Sequence, residues 1–289
     1  MIITKLQGGL GNQMFQYALG KKLSLSHKTN LKLDTASLNL NDPLIVKRFY
    51  SLSIFNIKTP TASPEEISQF LAPRNLISKI TLLFKKNKRH ITEPAQVFSP
   101  AILKLPDNIY LDGYWQSPKY FSDIRDVLKK DFSLADPIPQ KVLDLLEKIT
   151  NCESVCINVR RGDFVTHPRN SKFHGFCDMT YFDKAIEKIN SEIENPKFFI
   201  FSDDLKWCED NLKLKYGGTI VDHDLAGPHF SWYLYLLSQC KHQIIPNSSF
   251  GWWGAWLNDN PNKIVIVPKK WINPEENTSD RYCDDWLVI

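Results

Sequence analysis

Among the six cysteines, Cys152, Cys156, Cys177, Cys208, Cys240 and Cys283, there is no Cys-x-x-Cys pair and no zinc-ligand spacing. That excludes a thiol redox motif and a zinc-stabilised fold. Cys156 and Cys240 stand in apolar runs and read as buried thiols, so nothing in the cysteine usage requires an oxidising compartment. Excess charge is also missing. Thirty-six basic against thirty-two acidic residues leave a net charge of +4, too mild to argue for a nucleic-acid partner unless the basic residues cluster. No apolar run approaches the length of a membrane span. The opening Met1-Ile2-Ile3-Thr4-Lys5-Leu6 has the form of a strand and not of a basic-then-apolar leader. The expected compartment is the cytoplasm.

What is present is an ordinary folded composition, 43% hydrophobic and 24% charged, in 289 residues. That length fits two domains or one large one. The first unit reads clearly: a strand over residues 2–6, the glycine-rich turn Gln7-Gly8-Gly9-Leu10-Gly11-Asn12-Gln13, a helix over 14–25 and a strand over 30–34. Such an opening offers backbone N–H groups at a helix N-terminus to a ligand. A dinucleotide fingerprint with Asp34 as the ribose acid fails at the third glycine position, which is Met14. From Asp42 to Pro106 prolines recur. The basic run Lys85-Lys86-Asn87-Lys88-Arg89-His90 reads either as a solvated helix end or as peripheral attachment to an anionic membrane at its inner face. A strand over 109–116 and a helix over 118–130 lead to Ala135-Asp136-Pro137-Ile138-Pro139, the best hinge. The expected domains are 1–136 and 137–289.

The second half alternates. Strands are expected over 154–159, 197–201, 219–221, 243–245 and 263–267, with helices over 181–193, 205–212, 230–240 and 251–257. That pattern implies a parallel sheet covered on both faces. Each strand ends in polar residues, where open α/β sheets bind ligands. They are Arg160-Arg161, Ser202-Asp203-Asp204, Asp222-His223-Asp224 and Asn247-Ser248-Ser249. Doubled arginines present planar forks that suit a diphosphate. Gly162 would let the backbone turn, and Asp163 would hold one guanidinium; the alternative is an Arg–Asp pair bracing a loop. Ser248 and Ser249 precede a helix and suit either phosphate oxygens or a helix cap. Asp203 or Asp204 suits a guanine edge or, equally, a cap for the next helix. Asp222-x-Asp224 has the spacing of a divalent metal site, although two arginines already supply charge neutralisation.

Five segments in order carry a family resemblance: Gly8-Gly9-Leu10-Gly11-Asn12-Gln13-Met14-Phe15-Gln16-Tyr17, Gly113-Tyr114-Trp115-Gln116-Ser117, Val159-Arg160-Arg161-Gly162-Asp163, Phe201-Ser202-Asp203-Asp204 and Asn247-Ser248-Ser249-Phe250-Gly251-Trp252-Trp253. The chain resembles glycosyltransferase family 11, the α-1,2-fucosyltransferases, and specifically its bacterial members. The resemblance implies a GT-B arrangement of two Rossmann-like α/β domains facing a central cleft. GDP-fucose would lie mostly on the C-terminal domain and the acceptor, a galactose-terminated oligosaccharide or lipid-linked glycan, on the other side. It implies inverting transfer without metal or other cofactor. Arg160, Asn12 and Asn158 are the expected catalytic residues. Arg160, Arg161, Asp163, Ser202, Asp203, Asp204, Asn247, Ser248, Ser249 and Phe250 are the expected donor contacts. Gly9, Gly11, Gln13, Trp115 and Trp252 are expected on the acceptor side, with core packing as the alternative for both tryptophans. One position departs from the family: Asn158 stands where it usually has His. Asn cannot titrate near neutral pH, so the position orients groups and the general base is unassigned. A non-catalytic glycan-binding protein on the same fold, or a nicotinamide-dependent oxidoreductase using the Gly9 to Asp34 opening, are the other classes.

Overall fold

The computed structural model describes residues 1–39, 48–71, 89–95, 97–162, 165, 175–272 and 279–289. The chain divides into two compact units, Met1–Ala135 with Ser279–Arg281, and Asp136–Thr278 with Tyr282–Ile289. Of the basic run, Lys85, Lys86, Asn87 and Lys88 lie outside the described residues. Arg89 is folded onto the first unit, with its guanidinium over Phe70 and Nε donating to Asn108 O.

The first unit contains β1 (Ile2–Lys5), α1 (Leu10–His27), β2 (Leu31–Asp34), α2 (Pro64–Ser68), β3 (His90–Thr92), β4 (Ile109–Asp112) and α3 (Arg125–Asp131). Among the described residues its four strands are all parallel, in the order β2-β1-β4-β3. α1 begins inside the glycine-rich segment and not after it. It stops at Lys28, whose left-handed backbone (φ 51) lets its N–H bond Ser24 and Leu25 carbonyls. Two 3-10 turns, Pro118–Tyr120 and Ser122–Ile124, take up the first half of the helix expected over 118–130, and α3 takes up the rest.

The second unit contains α4 (Gln140–Thr150), β5 (Ser154–Val159), α5 (Met179–Glu192), β6 (Lys197–Ser202), α6 (Leu205–Cys208), α7 (Leu214–Tyr216), β7 (Thr219–Ile220), α8 (Ser231–Gln239), β8 (His242–Ile244), α9 (Ser249–Leu257), β9 (Val265–Val267) and β10 (Leu287–Val288). A π-turn over Glu209–Lys213 joins α6 to α7, which breaks the single helix expected over 205–212. Helix α4 went unread in the sequence, although Val142, Leu145 and Ile149 form its buried stripe.

The six strands among this unit's described residues are all parallel, in the order β10-β9-β8-β5-β6-β7. Counted within the unit this is the doubly wound order 3-2-1-4-5-6. Side chains alternate across the sheet. Val155, Ile157 and Val159 face Phe182, Ala185, Ile186 and Ile189 of α5. Cys156, Phe199 and Phe201 face Val142, Ile149, Tyr233 and Leu237 of α4 and α8. Fully burying one such Phe, Ile or Val contributes about 1.5–3 kcal/mol. Both cysteines expected to be buried, Cys156 and Cys240, are so.

One buried histidine ties β8 to β9. His242 is 3% exposed, and its Nδ1 accepts from Ile264 N at 3.0 Å, which requires that nitrogen to be unprotonated. Burial pushes its pKa below the ordinary 6.5, against the opposing pull of Glu153. The unfolded chain therefore takes up a proton that the fold refuses, so stability is retained above pH 6.5 and lost as pH falls below it. Thermal melts are expected to decline below that pH, and His242→Asn, which keeps an acceptor but cannot titrate, is expected to flatten the decline. Equal slopes for both proteins would exclude His242 as its source.

Candidate active site

In the second unit the strand order reverses between β5 and β8, the place where sheets of this kind open a crevice at the carboxyl ends of their strands. The β5–β6 register sets what stands there. Asn158 pairs with Phe201 and Val159 with Ser202. Beyond the strands the same offset of 43 brings Arg160 opposite Asp203 and Arg161 opposite Asp204. Asp203 accepts from Arg160 Nη1 at 2.6 Å with one oxygen and from Arg161 N at 2.8 Å with the other. One carboxylate thus holds both the guanidinium and the backbone that presents it.

Gly162 is required by space rather than by a turn. A Cβ there would lie 2.5 Å from Asp203 Oδ2. Arg161 is enclosed differently. Its Nε donates to Asp204 Oδ2 at 3.1 Å, and its guanidinium lies 4.4 Å over the Trp207 ring and 5.5 Å over that of Phe176. Asp204 also caps α6 through Trp207 N, and its own N–H donates to Ser202 Oγ. The Arg160 side chain is 29% exposed against 15% for Arg161. Arg160 is therefore the more open of two braced cations. Asp163, read from the sequence as holding one guanidinium, lies outside the described residues; among the described residues Asp204 pairs with Arg161.

Beside β5, the end of β8 supplies Asn247, Ser248, Ser249 and Phe250. Asn247 is buried, with Nδ2 donating to Trp271 O at 3.0 Å. Ser248 occupies the N-cap of α9 but makes no side-chain capping bond. The first turn of this nine-residue helix thus offers backbone N–H groups that the cap serine does not take. Asn158, only 6% exposed, donates from Nδ2 to Phe201 O at 3.3 Å. Its Oδ1 has no hydrogen-bond partner and sits where a Cβ on Gly251 of α9 would be, at 2.6 Å. A buried acceptor left unpaired costs about 1–3 kcal/mol and persists where something else completes it.

The remaining strand end is differently used. Asp222 caps the turn through Asp224 N, Asp224 pairs with Lys141 at 2.9 Å, and His223 Nε2 contacts Ser202 O. Among the described residues no cluster of three or more His, Cys, Asp or Glu could hold a metal ion. Sequence reasoning missed His229 and Phe230, which precede α8 with φ of 48° and 63°. Non-glycine residues in that region carry backbone strain, and Phe230 exposes its ring beside Phe250. The Gly227-Pro228 pair was the available signal.

In the first unit, the glycine-rich segment is fastened by glutamines. Gln13 is completely buried: Nε2 donates to Gly8 O and Phe49 O, and Oε1 accepts from Ser51 N. Gln16 holds both backbone groups of Gln7. Gln13 is thus a brace of the loop. Gly9 precedes α1 as its N-cap, Gly11 is buried in its first turn, and Asn12 is half-buried. Asn12 Oδ1 accepts from Gln116 Nε2 at 2.8 Å. Trp115 and Trp252, the expected acceptor platforms, are both at 0% exposure, each inside its own unit's core. Asp34 is buried and occupied by Tyr110 OH at 2.6 Å and Ala36 N at 2.9 Å, which leaves it unsuited to a ribose.

The comparisons with known proteins bear on the family and the fold. The family model described as Glycosyl transferase family 11 matches residues 1–289. An alpha-1,2-colitosyltransferase of Escherichia coli is 31% identical over 299 residues, covering 100% of this chain and 99% of that protein. Galactoside alpha-(1,2)-fucosyltransferase 1 of Rattus norvegicus is 26% identical over 267 residues, covering 86% of this chain and 61% of that protein. The solved NodZ alpha-1,6-fucosyltransferase soaked with GDP-fucose superposes with a TM-score of 0.51 at 15% identity, over 89% of this chain and 91% of that one. The fold is thereby the GT-B type expected from the sequence, and the chain belongs to glycosyltransferase family 11.

Proposed function

We propose that this glycosyltransferase moves L-fucose from GDP-β-L-fucose to the 2-OH of a terminal galactose, with inversion and without a metal. The observation that carries the reading is Arg160: a half-exposed guanidinium, fixed by Asp203, at the strand end beside the first turn of α9. Cleavage of the fucose C1–oxygen bond leaves its electron pair, and negative charge, on the β-phosphate. A preorganised cation there is worth several kcal/mol in the transition state because it need not reorganise. Ser248, Ser249 and the N–H groups of the first turn of α9 supply further donors for phosphate oxygens.

Asn158 supports binding rather than proton transfer. Its unpaired Oδ1 accepts a hydroxyl of the bound sugar, and the amide cannot take up a proton. The galactose hydroxyl then attacks C1 as an oxocarbenium-like centre develops and loses its proton late, to water, so a strong base is unnecessary. The donor side belongs to the second unit and the acceptor to the loop of the first that carries Asn12. A second reading is favoured by the full-length similarity to an α-1,2-colitosyltransferase: the same linkage with a donor sugar other than fucose.

Arg160→Ala is expected to lower turnover by about 10²–10³-fold with an unchanged melting temperature; near-normal turnover would remove Arg160 from the mechanism. Gly162→Ala drives a Cβ against Asp203 and is expected to cost about tenfold to a hundredfold with both arginines intact. Activity equal to wild type would show that Asp203 does not set the guanidinium. With EDTA present, GDP and not UDP or NAD is expected to raise the melting temperature, since binding only the folded state stabilises it. Strict dependence of transfer on a divalent ion would instead bring Asp222 and Asp224 into the site.

A further inference from the structure

In the first unit, β1 and β4 are the two central strands, and the segments that leave them are joined by side chains from three distant places in the sequence. Arg281, 1% exposed, belongs to the short stretch Ser279–Arg281 that folds with this unit. Its Nη1 donates to Gln116 Oε1, and Gln116 Nε2 donates to Asn12 Oδ1 at 2.8 Å. The backbone that carries Gln116 is clamped. Glu93 accepts from Tyr114 N at 2.7 Å and Trp115 N at 3.0 Å, and Trp115 is held at φ 57. Gly113 lacks the Cβ that would collide with Glu93 at 2.4 Å. Burial pushes the Glu93 carboxyl up, while those two N–H groups and the Arg281 charge pull it down.

The chemistry of this chain has a direction. A guanidinium has donors and no acceptor, so Gln116 must turn its oxygen to Arg281. Its NH₂ group then faces Asn12, and Asn12 must answer with its oxygen. Two amides whose ends are otherwise interchangeable are thereby set by one permanent cation. Asn12 is left with Nδ2 on the side of the glycine-rich loop, where Gly8 (φ +76) leaves room; a Cβ there would lie 2.4 Å from that nitrogen.

We infer that Arg281 and Gln116 are positioning residues that make Asn12 a hydrogen-bond donor, so that Asn12 recognises an acceptor-sugar oxygen through its lone pair and cannot take that sugar's proton. This rests on the reading that the Asn12 loop meets the acceptor, and it goes further by fixing which end of the amide does so. Gln116→Glu inverts the relay without removing a contact. A carboxylate still accepts from Arg281, but it requires Asn12 to turn Nδ2 inward and Oδ1 outward. The expected result is a fall of at least about tenfold in kcat/KM for a galactoside acceptor, with the melting temperature and its rise on GDP unchanged. Arg281→Lys, still donor-only, is expected to retain most activity, whereas Arg281→Met is expected to lose it.

Orientation is read separately from the Asn12 side-chain amide pair in a ¹⁵N–¹H spectrum, identified by its disappearance in Asn12→Asp. In Gln116→Glu that pair is expected to shift and to exchange more slowly with solvent. An unmoved pair, acceptor kinetics within twofold of wild type, or losses of GDP stabilisation in step with activity would each overturn the inference. Wild-type protein that transfers fucose to no galactoside would instead fail the function proposed above, while the amide spectrum would still decide the orientation.

Discussion

The Asp203 carboxylate divides its two oxygens between a guanidinium and a backbone N–H of the neighbouring strand's extension. Much of the second unit's site depends on that division. It carries the β5–β6 register past the last ladder residues, so that four polar side chains meet in pairs at a constant offset. It also limits position 162 to glycine, since the oxygen bound to Arg160 occupies the space of a side chain there. A partly exposed ion pair of this kind contributes little to stability, about 0–1 kcal/mol. Its contribution is positional. An arginine side chain loses up to about 2 kcal/mol of rotamer entropy on being fixed, and here that cost is met in folding and not at the moment of reaction.

The two arginines differ in the same terms. Arg161 is spent on structure: an acid, an indole face and a phenyl face enclose it. Replacing water around a guanidinium with aromatic faces and one carboxylate makes it a wall of the site. Arg160, fixed by Asp203, is the more exposed of the two. The Asp222–Asp224 spacing is given over to a capped turn and a lysine pair.

What the sequence made legible follows from the range of the forces involved. Parallel strands buried on both faces announce themselves as apolar runs, and their polar ends stand out against them, so Arg160, Asp203 and Ser248 could be placed at one edge. Partners were less legible. Asp204 reaches Arg161 from 43 residues away, because register sets who faces whom across two strands. Trp252 could not be assigned a face, since α9 is apolar all round and a helix of that composition is buried on every side. Gln13 looked available to a ligand for the opposite reason: a polar residue beside glycines gives no sign that three backbone groups already saturate it. Arg281 was invisible, because its bond to Gln116 closes 165 residues of chain.

The two units solve the same problem, the orientation of a polar group at the end of a central strand, with different materials. In the second unit the oriented group is a charge, and a carboxylate orients it. In the first it is a neutral amide, and a buried cation orients it through a second amide. Burying Arg281 is expensive unless its donors are met, and an apolar residue would pack the same volume at less cost. What the cation supplies that an apolar residue cannot is polarity: it distinguishes the oxygen of Gln116 from its nitrogen. Neutral amides neither gain nor lose charge at any physiological pH. Neither the oriented amides of the first unit nor the oriented guanidinium of the second changes charge over that range. Asn158, at a position where the family usually has a titratable histidine, belongs to the same design.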